Sequence, residues 1–267
     1  MDSEDFDPLH GEAPKEIPLS NAPLASVLCQ VRFPEIVQVR DINFIGGFQE
    51  KVRASYPLFS SDLVQTFNVL PHALQSNQDQ LWRLSDADAN WRISLGANFV
   101  ALETKKYSSR ADFLKRLTFV LDALEETIRP THVWRVGVRY VDRVPTSALG
   151  NIRDMLRHEM AGLSATELRS SFNYSVSEVA CRVDEGNLLV KWGILPAHGS
   201  HEPEVMPQID DESWFLDIDV SHEHHVAPRQ FRVDELVFDA ERKAARCYSF
   251  FRWAVTEEFL RRFGGEI

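Results

Sequence analysis

The stretch Val133-Trp-Arg-Val-Gly-Val-Arg-Tyr-Val-Asp-Arg-Val144 decides the fold. In an extended chain, successive side chains point to opposite faces. Trp134, Val136, Val138 and Tyr140 then share one face, and Arg135, Gly137, Arg139, Val141 and Arg143 share the other. Such alternation is the mark of a half-buried β-strand, and it places the Trp134 face in the core.

The segments around this strand complete the fold class. Upstream, Phe113, Leu117, Leu121, Leu124 and Ile128 form one apolar helical stripe. Ser108 or Ser109 is placed to cap that helix, and Arg129-Pro130 ends it. Before it, Gln65–Leu70, Gln80–Leu84, Trp91–Leu95 and Phe99–Thr104 are short, β-branched or aromatic runs separated by turn residues, so they predict antiparallel hairpins. Ala25–Phe33 predicts a first strand stopped by Pro34, and Phe44–Tyr56 a helix stopped by Pro57. Downstream come a polar helix at Asn151–Met160 and strands at Phe172–Val183 and Leu188–Leu195, joined by a tight turn. A Pro- and His-rich loop at Ala197–Asp211 follows, then a strand at Trp214–Val220 and a long helix from Phe238 to Phe263. Strands grouped in hairpins, with helices between the groups, predict an α+β fold. It is expected as one or two antiparallel sheets with long helices on one face, built from two similar α/β halves. The expected domains are a disordered acidic tail over 1–18, an N-terminal half over 19–146 and a C-terminal half over 147–267.

The bulk numbers narrow the function classes. The chain has 267 residues, is 44% hydrophobic and carries a net charge of −11, enough to bury a large core. The acidic balance argues against non-specific nucleic-acid binding, which needs Lys and Arg to displace counterions. Asp2, Glu4, Asp5, Asp7, Glu12 and Glu16 face only Lys15 in the first eighteen residues. No basic segment followed by an apolar run opens the chain, and no apolar run is long enough for a membrane span. Three scattered cysteines, Cys29, Cys181 and Cys247, fit a reducing compartment. The expected location is therefore cytoplasmic, with no cofactor.

Asn21-Ala-Pro-Leu24 leading into Gln30-Val-Arg-Phe-Pro34, Phe99–Thr104 with Tyr107 and Phe113, and Arg135-Val-Gly-Val-Arg-Tyr-Val-Asp142 together carry a resemblance, as does Phe251–Leu260. From Leu19 onward the chain resembles a sporadically distributed family of uncharacterised prokaryotic proteins of about this length. The N-A-P-L start and the R-x-G-x-R-Y segment are its most specific parts. Members tend to carry a His early in the last helix, where this chain reads Asp239-Ala-Glu-Arg242. The resemblance implies no activity. The family's patchy distribution is similar to that of defence and toxin–antitoxin genes.

Three patterns carry chemistry. Arg135, Arg139 and Arg143 form a guanidinium row suited to phosphate or carboxylate, with Gly137 leaving a gap where an anion or a partner's carboxylate could approach. The competing reading pairs the arginines with Asp and Glu on neighbouring strands. Asp217, Asp219, His222 and His224, with His198 and His201 in the loop before them, are the candidate metal ligands. A solvated strand end is the simpler reading, since on a continuing strand His222 and His224 fall on the face opposite the aspartates. Glu103-Thr-Lys105 with Asp88 mimics the carboxylate and lysine pattern of metal-dependent nucleases, a short and degenerate match. Phosphate-loop, dinucleotide, nucleophile-elbow and H-E-x-x-H motifs are absent. Tyr248, Phe250, Phe251 and Trp253 make an aromatic cluster wider than one helical stripe. The leading expectation is a non-enzymatic protein-binding or regulatory component, of the kind found in defence or toxin–antitoxin loci, whose partner is another protein or a second copy. The alternative is an enzyme or sensor for a small anionic, phosphate-bearing ligand at the arginine face.

Overall fold

The computed structural model describes residues 6–70, 73–224 and 228–267, without the side chains of 64–78. The fold is α+β. The strands are β1 (Leu24–Arg32), β2 (Leu58–Leu70), β3 (Ala73–Ser85), β4 (Trp91–Gly96), β5 (Phe99–Thr104), β6 (His132–Val133), β7 (Arg135–Pro145), β8 (Ser175–Val183), β9 (Gly186–Leu195), β10 (Ser213–Glu223) and β11 (Arg229–Gln230). Nine of them make a large antiparallel sheet in the order β2-β3-β4-β5-β1-β7-β10-β9-β8, while β6 pairs with β11. The helices are α1 (Ile42–Val52), α2 (Arg110–Thr127), α3 (Thr146–Leu149), α4 (Ile152–Met155), α5 (His158–Ala161), α6 (Val233–Ala254) and α7 (Glu257–Arg262).

Two compact units arise, and neither matches the expected halves. One gathers residues 1–27, 138–222 and 242–267; the other gathers 28–137 and 223–241. A boundary at 146/147 follows from reading strands and helices in order. The chain instead divides inside β1, β7, β10 and α6, because a single strand or helix can pack against different neighbours along its length.

In the second unit, α1 buries Ile45, Phe48 and Val52, and α2 buries the whole expected stripe from Phe113 to Ile128. Ser109 is the cap, its hydroxyl accepting from the Asp112 amide at 3.1 Å. The Arg116 guanidinium stacks 4.4 Å over the Trp91 ring, and the Trp82 indole donates to the Val39 carbonyl at 2.6 Å.

In the first unit, Val144, Val190, Trp214, Leu216, Ile218 and Val220 pack with Cys247, Phe250, Phe259 and Phe263. Residues 6–18, expected as part of a disordered tail, are held here. Arg246 donates to the Pro8 and Gly11 carbonyls, both at 3.0 Å, and Tyr248 accepts from the Ile17 amide at 2.8 Å. Leu9, Ile17 and Leu19 pack on the same core. That explains the wide aromatic band on α6: part of it is roofed by this arm. The acidic composition of the arm hid its two apolar anchors, Leu9 and Ile17.

The final helix is broken. Val255 bridges to Leu156, and Thr256 caps α7 by accepting from the Phe259 amide at 3.3 Å. The β-branched Thr favours a cap over a helix interior. The expected polar helix at 151–160 likewise resolves into α4 and α5.

On β7, Val136 and Val138 are 1% exposed, as the alternation requires, whereas Trp134 is 40% exposed and Tyr140 half-buried. The chain bends at Trp134, between β6 and β7, and this releases the indole from the core.

Candidate functional site

The three arginines of β7 have three different fates. Arg139 lies in the first unit and is enclosed by acids. Its Nε donates to Asp217 at 2.7 Å, and its Nη2 reaches Asp217 and Glu202, both at 2.6 Å. His201 Nε2 lies 3.0 Å from the same Asp217 carboxylate, its ring stacked on Phe215 with centroids 4.9 Å apart. Burial works against the charge on Arg139, but its bonds to Asp217 and Glu202 outweigh this and raise its pKa. Burial likewise pushes the Asp217 carboxyl up, and the bonds from Arg139 and His201 more than reverse it. The guanidinium holds the Glu202 carboxyl below its ordinary range.

Arg143 serves the loop of residues 196–211. It donates to Ser213 Oγ at 2.9 Å and to the Gly199 carbonyl at 2.8 Å, and it also reaches the Pro207 carbonyl. Burial lowers its pKa. The paired reading of the row thus holds at Arg139, and at Arg143 carbonyls take the place of carboxylates.

Arg135 belongs to the second unit and borders a cavity of about 260 Å³. The lining is Arg32, Phe33, Glu35, Asn98, Trp134, Arg135, Glu223 and His224. These residues come from strand ends and the loops and turns beside them. The Phe33 amide donates to the Asn98 carbonyl at 2.9 Å, the Trp134 amide to the Arg32 carbonyl at 2.7 Å, and the His224 amide to the Trp134 carbonyl at 2.8 Å. Arg135 has Gln30 Oε1 at 3.3 Å and Glu223 at 3.7 Å, and Glu35 is held by Arg40 at 2.5 Å. The exposed Arg32 guanidinium has no ion pair among the described residues. The gap expected at Gly137 is filled. A Cβ there would lie 2.6 Å from Arg135 Nη1 and 2.8 Å from its Cζ, so the Arg135 side chain lies across the glycine. Arg32 and Trp134 were missed as site residues. Arg32 sits at a strand end, in a segment with no anion-binding motif, and Trp134 read as core.

Of the four metal candidates, only Asp217 belongs to a grouping with ligand geometry, together with His201 and Glu202, their ligand atoms within 4.8 Å of one another. Arg139 already supplies the positive charge between the two carboxylates. Asp219, His222 and His224 are not in that cluster, and His224 lines the cavity of the second unit. The nuclease-like pattern is likewise closed: Glu103 is 7% exposed and gives its carboxylate to Arg92, its partner across the β4–β5 pair, at 2.5 Å.

One further acid stands out. Asp142 is 3% exposed, and its same-face neighbours on β7, Tyr140 and Val144, pack in the first unit's core. No hydrogen bond or ion pair reaches its carboxyl among the described residues. Burial alone pushes its pKa up to about 7.

No family model matches the chain. A search of curated proteins found no match either.

Proposed function

We propose that this protein binds a small anionic ligand, one bearing a phosphate or carboxylate beside a planar group, in the cavity bounded by Arg32, Trp134 and Arg135. The carrying observation is the combination of the Arg32 guanidinium, which has no ion pair among the described residues, and the exposed Trp134 indole around about 260 Å³ of space. Ligand pockets run from about 300 Å³ upward, so the volume suits a mononucleotide-sized compound or smaller. Guanidinium groups take phosphate or carboxylate through paired N–H donors, and indole faces stack on planar rings. Asn98 and His224 add a carboxamide and an imidazole for orientation. Arg139 and Arg143, committed inside the first unit, take no part.

The test is thermal stabilisation of the full chain by nucleoside monophosphates, sugar phosphates and inorganic phosphate. Arg32→Ala should weaken binding by roughly ten- to a hundredfold, the worth of a charged hydrogen bond, and Trp134→Ala should remove any preference for a ring. No stabilisation by any of these compounds, or an undiminished one in Arg32→Ala, refutes the proposal.

A cytoplasmic setting belongs to the same proposal and draws on the three free cysteines. Among the described residues, no helix is long and apolar enough to cross a membrane. A regulatory role through protein contacts draws on a different feature, the terminal strand β8.

A further inference from the structure

β8 ends the sheet and hydrogen-bonds only to β9 among the described strands. Its nine residues keep an unbroken antiparallel register, from Ser175 opposite Ile194 to Val183 opposite Gly186. A free edge of this kind is a template for another strand, and proteins commonly guard such edges with proline, a bulge, a short strand or a covering segment. β8 contains no proline and no bulge. Its outer backbone groups form no hydrogen bond among the described residues.

The side chains say what the edge fits. Val176, Glu178, Ala180 and Arg182 share one face and are exposed, while Val179 and Cys181, on the other, are half-buried against the core. Glu178 and Arg182 carry opposite charges four residues apart, with Ala180 midway. Glu178 has Lys191 at 3.2 Å, whereas Arg182 has no ion pair among the described residues. Pairing an antiparallel strand with its own copy about a twofold axis sets residue i opposite residue j, and j opposite i. With the axis at Ala180, each Glu178 faces the other chain's Arg182, each Val179 faces a Cys181, and two small alanines meet in the middle. Directly opposed unlike charges are favourable in an antiparallel pair, and like charges are unfavourable. Axes at neighbouring residues lose this charge match.

We infer that β8 is a self-complementary docking edge, through which two copies of the chain join in an antiparallel strand pair centred on Ala180. This goes beyond the ligand proposal and is independent of it.

Light scattering on the eluting full chain tests it. The wild-type protein should reach twice its 30.6 kDa mass at sub-millimolar concentration. Glu178→Lys alone sets Lys against Arg182, and Arg182→Glu alone sets Glu against Glu178, so each variant should elute as a monomer. Mixed in equal amounts, the two variants have only attractive pairs across the axis, and the mass should return to that of a dimer. Circular dichroism of each variant establishes that it is folded. A monomeric wild type, a single variant that stays dimeric, or a mixture of folded variants that stays monomeric each overturns the inference.

Discussion

Asp142 gives the folded protein a contribution to stability that is larger in acid than at neutral pH. Its pKa rises from the ordinary 3.8 to about 7, by burial alone. At about 1.4 kcal/mol per pH unit, the difference is on the order of 4 kcal/mol. The sign follows from proton counting. Between these two values the folded chain keeps a proton that the unfolded chain has lost, so this group's contribution is full below about pH 4, falls as pH rises, and is gone above about pH 7. Asp142→Asn replaces the ionisable group with a neutral one of the same shape and removes that slope. Asp217 and Glu202 titrate in the opposite sense, since their lowered pKa values stabilise the fold as pH rises through the acid range. They are present in both proteins and cancel in the comparison. Urea unfolding of wild type and variant at about pH 5 and about pH 8 therefore reads Asp142 alone. The variant's stability relative to wild type should improve by roughly 1–3 kcal/mol between the two conditions, the part of the linkage that lies in this window. Parallel stability–pH curves would refute the account of an uncompensated buried carboxyl.

Other perturbations follow from the same geometry. Arg139→Met strands Asp217 beside Glu202 and should destabilise the protein by about 3–5 kcal/mol in denaturant titrations, the cost of breaking a buried ion pair from one side. Arg143→Ala releases the Gly199 and Pro207 carbonyls, so limited proteolysis should cut between residues 196 and 211 faster than in wild type, with the far-ultraviolet circular dichroism unchanged. Thr256→Ala removes the α7 cap and its bond to the Asp154 carbonyl, and should lower stability by about 1 kcal/mol, measured by the same titrations.

The pattern of apolar residues was readable wherever periodicity was strong. The α2 stripe appeared as expected, and so did the strand segments that became β1, β4, β5, β9 and β10, because a period of two or of 3.6 follows directly from backbone geometry. Trp134 was misread because a one-residue bend changes which face a side chain occupies, and a bend leaves no periodic trace. The arginine row was visible as a row, yet its roles depend on Asp217, Glu202 and the 196–211 loop, each more than fifty residues away in sequence. Glu202 and His201 lie in a loop where no period exists, so their meeting with Arg139 was legible only in three dimensions. Asp142 falls on the apolar face of the β7 alternation, so its burial followed from the period, but only packing shows that no partner among the described residues reaches it.

The division of the chain inside β1, β7, β10 and α6 bears on how the protein is made. The first unit needs residues 1–27, 138–222 and 242–267, so its early segment must wait through about 110 residues before its partners leave the ribosome. Closing so long a loop costs only slightly more entropy than closing a shorter one, but it slows the search. Most of the second unit, 28–137, is a continuous stretch. Synthesis therefore presents the cavity-bearing unit nearly whole while Leu9, Ile17 and Leu19 are still without the helix they pack against, and nascent-chain protection should emerge in that order.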